Sequence, residues 1–340
     1  MYPAKILLFG EYSILLNSTA LAIPFKKFNG ELAKMEPVDI KKTDDQMRSN
    51  QILKEFMSFL NNENVKNNIP YDFDFEAFEK DISNGLYFRS DIPEASGLGS
   101  SGAVVAAVFD KYVNIQKSEK DLTKIRVCLG LFESFFHGTS SGIDPLISYL
   151  KQSVLIKENE IYTSFSSQVE ESVHKSGLFL VHTHISGNTG TLVKSFNYRC
   201  KSDFRYLSTV LEQYIPSNDD CTMSLTNKYD EFRFFTALRK LSSLQLELFN
   251  EMIPLTLVPL IEYGLANDLF YLKLCGSGGG GYFLGFTKNI ISTENYFNEK
   301  GYQILPFGFA QGKPRGSAKS LGLGEVSYSK KPLHPLNGTL

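Results

Sequence analysis

Residues 93–112 read PEASGLGSSGAVVAAVFDKY. Three glycines and three serines fall within the seven positions 96–102, and an apolar, helix-forming run follows at once. Glycine loses more conformational freedom on folding than any other residue. A density this high marks a place where the backbone stays bare so that something can come close. The spacing Gly97-x-Gly99-x-x-Gly102 matches the dinucleotide fingerprint literally. That fingerprint also needs a second strand with an acidic residue at its end about 20 residues on. Asp121 lies near that distance but opens a helical pattern instead. The Walker-A loop is excluded, because no Gly-Lys-Ser/Thr follows. What remains is the physics such loops share: bare amides at a helix N-terminus form a site for phosphate oxygens. Ser100 and Ser101 add hydroxyls suited to a phosphate oxygen or a magnesium shell.

The surrounding pattern predicts a mixed α/β (α+β) chain in two domains. Apolar strand signals stand at 4–9 (AKILLF), 20–25 (ALAIPF) and 86–92 (LYFRSDI). Met47, Ile52, Leu53, Phe56, Phe59 and Leu60 recur at helical intervals. The stretch 63–81 is polar and aromatic, and reads as a surface excursion. A helix is expected over 118–136, with Ser118 as N-cap and Asp121 three positions on. Residues 153–165 read as a hairpin, 177–183 as a strand, 204–214 and 225–250 as helices. A shorter helix near 253–265, two strands around a glycine run, a last helix and a last strand complete the pattern. The domain boundary falls near 165, giving 1–165 and 166–309. The tail 310–340 lacks periodicity and is rich in Gly, Ser, Lys and Pro, so disorder is expected there.

Composition narrows the partners. The net charge of −2 over 340 residues provides no general surface for nucleic acid. No apolar run approaches the roughly 18 residues that a bilayer span needs. The N-terminus reads as a strand and a turn rather than a signal peptide. The four cysteines, Cys128, Cys200, Cys221 and Cys275, are scattered, as expected of reduced thiols in a cytoplasmic protein. His182 and His184 are expected on one side of a strand, in a structural role.

Two further clusters bear on chemistry. FESFFHGTSSGIDP (132–145) places Glu133 near a helix end and Asp144 after a glycine turn. One carboxylate suits a metal and the other a substrate hydroxyl. KLCGSGGGGYFLGF (273–286) sets four successive glycines between two apolar strands, which implies close approach by a ligand or another backbone.

These segments resemble the GHMP kinases. PEASGLGSSGA is similar to the family's phosphate-loop motif, AKILLFGEYSILLNSTALAIPF to its N-terminal motif and LCGSGGGG to its C-terminal glycine motif, in the family's order over roughly residues 3–307. HGTSSGID is similar to the corresponding segment of mevalonate kinases. The resemblance implies an N-terminal α/β domain with the phosphate loop, a ferredoxin-like C-terminal domain, and a site between them. It implies ATP- and Mg2+-dependent phosphorylation of a small-molecule alcohol, with mevalonate as the expected acceptor. Lys5 and Asp144 then correspond to the catalytic pair, and Ser101 and Glu133 to the magnesium ligands. Pro93, Ser96, Gly97, Leu98, Gly99, Ser100, Ser101 and Gly102 would hold the nucleotide phosphates. Glu11, Tyr12, Thr189, Gly278 and Gly279 would border the substrate. The chain would act as a monomer or homodimer, with no nucleic acid or membrane partner. Two departures stand out. Gly10-Glu11-Tyr12 is closer to phosphomevalonate kinases than the Gly-Glu-His usual in mevalonate kinases, and Glu94 brings a negative charge to the loop. A phosphomevalonate kinase is therefore the alternative. A non-catalytic nucleotide-binding regulator is a further one, which the presence of Lys5, Glu133 and Asp144 disfavours.

Overall fold

The chain begins with β1 (Tyr2–Phe9) and β2 (Ala20–Lys34), then α1 (Ile40–Leu60), α2 (Glu63–Lys66), β3 (Asp72–Phe73), α3 (Phe75–Ser83), β4 (Leu86–Ser90), α4 (Ser100–Tyr112), β5 (Val113–Asn114), α5 (Leu122–His137), α6 (Ile143–Leu150), β6 (Val154–Lys157) and β7 (Glu160–Tyr162). It continues with α7 (Ser166–Lys175), β8 (Leu178–His182), α8 (Thr189–Ser202), α9 (Phe204–Thr209), α10 (Ile215–Thr226), α11 (Glu231–Leu248), α12 (Val258–Asn267), β9 (Tyr271–Leu274), β10 (Tyr282–Phe286), α13 (Ile290–Glu299) and β11 (Ile304–Phe307). The computed structural model describes residues 1–35, 40–115, 121–164, 166–175, 177–185, 189–227 and 229–307. The expected tail at 310–340 and the expected cap at Ser118 lie outside them.

The first sheet runs β1-β2-β6-β7, with β4 also on the long β2. The second runs β11-β8-β10-β9. Counted along the chain, that order is fourth, first, third, second, the ferredoxin-like arrangement. The ladders in both sheets are antiparallel, so the mixture is of the α+β kind. Alternation along β1 does the sorting. Ala4, Ile6 and Leu8 enter a core that also holds Leu178, Leu180 and Phe283 of the second sheet. Lys5 and Leu7 face the other way, toward α4 and α6. The boundary expected near 165 falls between β7 and β8, and this shared core runs across it.

Helix α4 is apolar almost all round. Val105, Val108 and Phe109 are fully or almost fully buried, each such side chain contributing roughly 1.5–3 kcal/mol. The helix is thus a fixed post carrying the glycine loop at its N-terminus.

Four local expectations change. The stretch 63–81 is not a surface excursion: Phe73 and Phe78 enter the second core cluster beside Phe132. Helix α5 is capped by Asp121 itself, whose Oδ1 accepts from the amides of Thr123 and Lys124. Strand β8 stops at His182, and the chain turns at His184, whose φ is +57°. Helices α8 and α10 were not foreseen. The buried residues of α10 are Ser217, Asn218, Cys221, Thr222, Ser224, Leu225 and Thr226, too few of them apolar to register as a helical stripe. Among the described residues no helix is long and apolar enough to cross a membrane.

Candidate active site

The glycine turn after β4 is held from inside. Ser96 Oγ donates to Pro93 O at 2.6 Å, and Leu98, fully buried, accepts from the Lys5 amide at 2.8 Å. Gly99 takes φ +76° and serves as the N-cap of α4. The amide of Ala103 donates to Gly99 O. The amides ahead of it have no acceptor within the helix, and no acidic residue stands in the first turn of α4. That end carries a partial positive charge suited to an anion.

Lys5 and Asp144 meet at this end, with Nζ 3.0 Å from Oδ2. Lys5 is 4% exposed and the Asp144 side chain 34%. Burial, the largest single effect, would lower the Lys5 pKa, but the charge and hydrogen bond of Asp144, with Cys275 and Glu133 nearby, together outweigh it and the ammonium ends above its ordinary value. Asp144 sits in the first turn of α6, which starts from Gly142 at φ +73°. Gly102 lets α4 and α6 touch: a Cβ there would lie 2.9 Å from both the Asp144 carbonyl carbon and the Pro145 nitrogen.

In the first turn of α4, Ser101 Oγ donates to Glu133 Oε1 at 3.2 Å and lies 3.0 Å from His137 Nε2. Ser140 Oγ donates to the other Glu133 oxygen. Glu133 is 3% exposed. Burial, and then the Asp144 charge, push its carboxyl up to about 7. Burial also lowers the His137 pKa. Two carboxylates and a serine hydroxyl thus converge, a donor set of hard oxygens. Among the described residues no group of three or more His, Cys, Asp or Glu forms a metal cage.

The glycine run serves backbone contact. A Cβ on Gly97 would lie 2.4 Å from Cys275 O, and one on Gly281 2.7 Å from Ser96 O. The Tyr282 amide donates to Ser96 O at 3.1 Å. Gly279 N donates to Met252 O at 2.6 Å, and a Cβ on Gly278 would lie 2.5 Å from the same carbonyl. Gly278 and Gly279 therefore pack against the turn at Met252. Glu11 and Tyr12 are buried as well. Glu11 is ion-paired with Lys273, and Tyr12 donates from its hydroxyl to Ser277 O at 2.5 Å. Thr189 opens α8, and its side chain lies outside the described ones. Glu94 faces Arg48 at 3.6 Å, with both side chains largely exposed.

The structure thus brings together Lys5, Asp144, Ser101, Glu133 and the loop 96–102. From sequence, Ser140 carries no signal as a site member, and His137 reads only as orienting the glycine turn, not as catalytic. A further signal existed: His137 is four residues beyond Glu133 on the same helix, hence on the same face. Sequence also left Lys273 unplaced, although a lysine inside an apolar strand demands a buried partner.

Residues 65–152 match the GHMP kinases N-terminal domain model. The mevalonate kinase of Pyrococcus abyssi is 26% identical over 305 residues, covering 82% of this chain and 85% of that one. Among solved structures, the L. major mevalonate kinase in complex with R-mevalonate superposes with a TM-score of 0.58 at 16% identity, covering 86% of this chain and 87% of that one. The Streptococcus pneumoniae phosphomevalonate kinase in complex with phosphomevalonate and AMPPNP gives 0.58 at 15% identity, covering 90% and 98%.

Proposed function

We propose that this chain, a GHMP kinase, transfers the γ-phosphoryl group of ATP to the hydroxyl of mevalonate. The observation that carries the reading is the Lys5–Asp144 pair at the N-terminus of α4, beside the Ser101–Glu133 contact. Pro93 and the segment Ser96, Gly97, Leu98, Gly99, Ser100, Ser101 and Gly102 would seat the phosphates on loop amides. The all-oxygen set of Ser101 and Glu133, beside the Asp144 carboxylate, fits a hard cation such as Mg2+, which prefers one or two carboxylates plus substrate phosphates. Bound ATP supplies the phosphoryl group, and magnesium neutralises charge on its oxygens. The chain's own residues do the rest. Asp144, the more exposed partner, accepts or orients the proton of the acceptor hydroxyl. Lys5 remains a cation and offsets charge developing beside it. Glu11, Tyr12, Gly278 and Gly279 act from behind, by holding backbone in place. Thr189 would approach from the start of α8.

The fold alone does not choose the acceptor, since a phosphomevalonate kinase superposes equally well. The cations favour mevalonate. A substrate phosphate needs Arg or Lys to receive it. Lys273 is engaged by Glu11 and Arg89 by Glu31. Lys5 is engaged by Asp144, and Lys194 is exposed on α8. The test is ADP release measured in parallel with mevalonate, phosphomevalonate, homoserine and galactose. Mevalonate should lead phosphomevalonate in kcat/KM by at least about a hundredfold, equivalent to roughly 3 kcal/mol. Equal efficiency would move the assignment to the phosphomevalonate kinases. No turnover with any acceptor would leave the nucleotide-binding regulator.

A further inference from the structure

A closed ring of buried hydrogen bonds lies behind the glycine run. Lys273 Nζ donates to Glu11 Oε1 and to Leu274 O, the latter at 2.6 Å. The Leu274 amide donates to Gln245 Oε1 at 2.8 Å. Gln245 Nε2 donates to Tyr214 Oη at 2.9 Å, and Tyr214 Oη donates to Glu11 O at 3.1 Å. Glu11, Tyr214, Gln245 and Lys273 are each at most 2% exposed. The ring joins the turn after β1, the end of β9, helix α11 and the start of α10. It therefore spans both sheets.

We propose that Gln245, Tyr214 and Lys273 are positioning residues that set the glycine run and the Gly10–Tyr12 turn at fixed distance from the phosphate loop. First, burying a lysine and a glutamate costs several kcal/mol per ion unless both are paired and their remaining polar atoms engaged. An apolar pair of equal size would hold two sheets together without that cost, so stability does not explain the ring. Second, hydrogen bonds fix distance and angle where apolar contacts slide. Third, the ring ends one residue from the contact it would control. Leu274 precedes Cys275, whose carbonyl faces Gly97, and Glu11 follows the strand that carries Lys5. A displacement of Leu274 or Glu11 is passed to the loop by backbone alone. The inference rests on the kinase reading for its kinetic consequence but not for its structural one.

The test uses Tyr214→Phe, which removes one hydroxyl and keeps the ring packing, together with Gln245→Met and the double variant. Amide exchange of 275–282 and 96–102 should quicken at least tenfold in Tyr214→Phe, while α1 keeps the wild-type rate. That result is legible whether or not any acceptor turns over. With turnover, kcat should fall about tenfold with acceptor KM within about threefold, since misplacement acts on the reacting geometry. The double variant should be no slower than the worse single, because both open the same ring. Unchanged exchange in 275–282, unchanged kcat with only a lower Tm, or additive losses in the double variant would each overturn the proposal. If Gln245→Met does not fold, Tyr214→Phe decides alone. Absence of wild-type turnover would refute the kinase assignment and leave the exchange result standing as the test of the ring.

Discussion

Gly97 and Gly301 form a matched pair of probes. Their φ angles are +81° and +80°, so alanine meets the same left-handed strain at both. That strain is worth about 1–2 kcal/mol. The surroundings differ completely. A Cβ on Gly301 has nothing within 4 Å, whereas a Cβ on Gly97 would lie 2.4 Å from Cys275 O. That carbonyl is backbone, tied into the end of β9, and cannot rotate away as a side chain tip would. The gap must open by roughly 0.6 Å to reach the 3.0 Å that real Cβ contacts respect. Gly301→Ala should therefore lose about 1–2 kcal/mol of stability and keep full activity. Gly97→Ala should lose the same and more, and should also separate the phosphate loop from the glycine run. A shift on the order of 1 Å in a reacting geometry is worth up to about a hundredfold in rate, so kcat should fall by tenfold to a hundredfold. The assay is ADP release at saturating ATP beside thermal melting of both variants. If Gly97→Ala and Gly301→Ala match in Tm and in kcat, the contact with Cys275 carries no functional weight and the argument from backbone approach fails.

Glu133→Gln should remove the response to magnesium titration and lower activity at least about a hundredfold, while Tm stays level or rises, because a buried carboxylate is costly to keep; an unchanged magnesium titration would take Glu133 out of the site. Lys5→Met keeps the stem that packs under Gly99 and deletes the charge; kcat should drop on the order of 10²- to 10³-fold with the melting curve little changed, and a variant within threefold of wild type would deny Lys5 a part in the reaction. The Asp81 carboxyl is held below its ordinary pKa, first by the hydrogen bond from Lys111 at 2.7 Å and then by that from Tyr112 at 2.8 Å. Its contribution is whole above the usual carboxylate pKa near 4 and is lost as pH falls through the lower folded value. Asp81→Asn should cost about 0.5 kcal/mol at pH 7, given how exposed the pair is, and should flatten the acid limb of Tm against pH. An acid limb identical to wild type would remove Asp81 from the pH response.

The sequence exposes what is periodic or costly in isolation. Strand β1, helix α4 and the glycine turns were legible because apolar runs and glycine density are local signals. The ferredoxin-like order and the pairing of Lys5 with Asp144 came from the resemblance, since no spacing rule joins residues 5 and 144. Helix α10 was not legible because most of what it buries is hydroxyls and an amide, with Cys221 and Leu225 too few to mark an apolar stripe. Asn218 Nδ2 donates to Thr19 O at 2.9 Å, 199 positions away, and no window of sequence contains that bond. The same holds for Lys273 and Glu11, which are 262 positions apart. A buried charge advertises that it has a partner, but not which one.

The loop that first suggested a phosphate site keeps its glycines largely for the protein itself. Gly97 yields to the Cys275 carbonyl, Gly99 to the stem of Lys5 with a Cβ 2.8 Å from Cγ, and Gly102 to the backbone of Asp144 and Pro145. Each glycine thus admits a different neighbour of the proposed reaction centre: the glycine run, the cation and the acid. Free amides for an anion follow as well, because an α-helix leaves its first donors open and the N-cap Gly99 has no side chain to satisfy them. The bare backbone is required twice, by the groups that pack against it and by the anion it is proposed to hold. A side chain at any of the three positions would strike the first requirement before it reached the second, so loss of nucleotide binding in such variants would report displaced Lys5, Asp144 or Cys275 as much as a blocked phosphate.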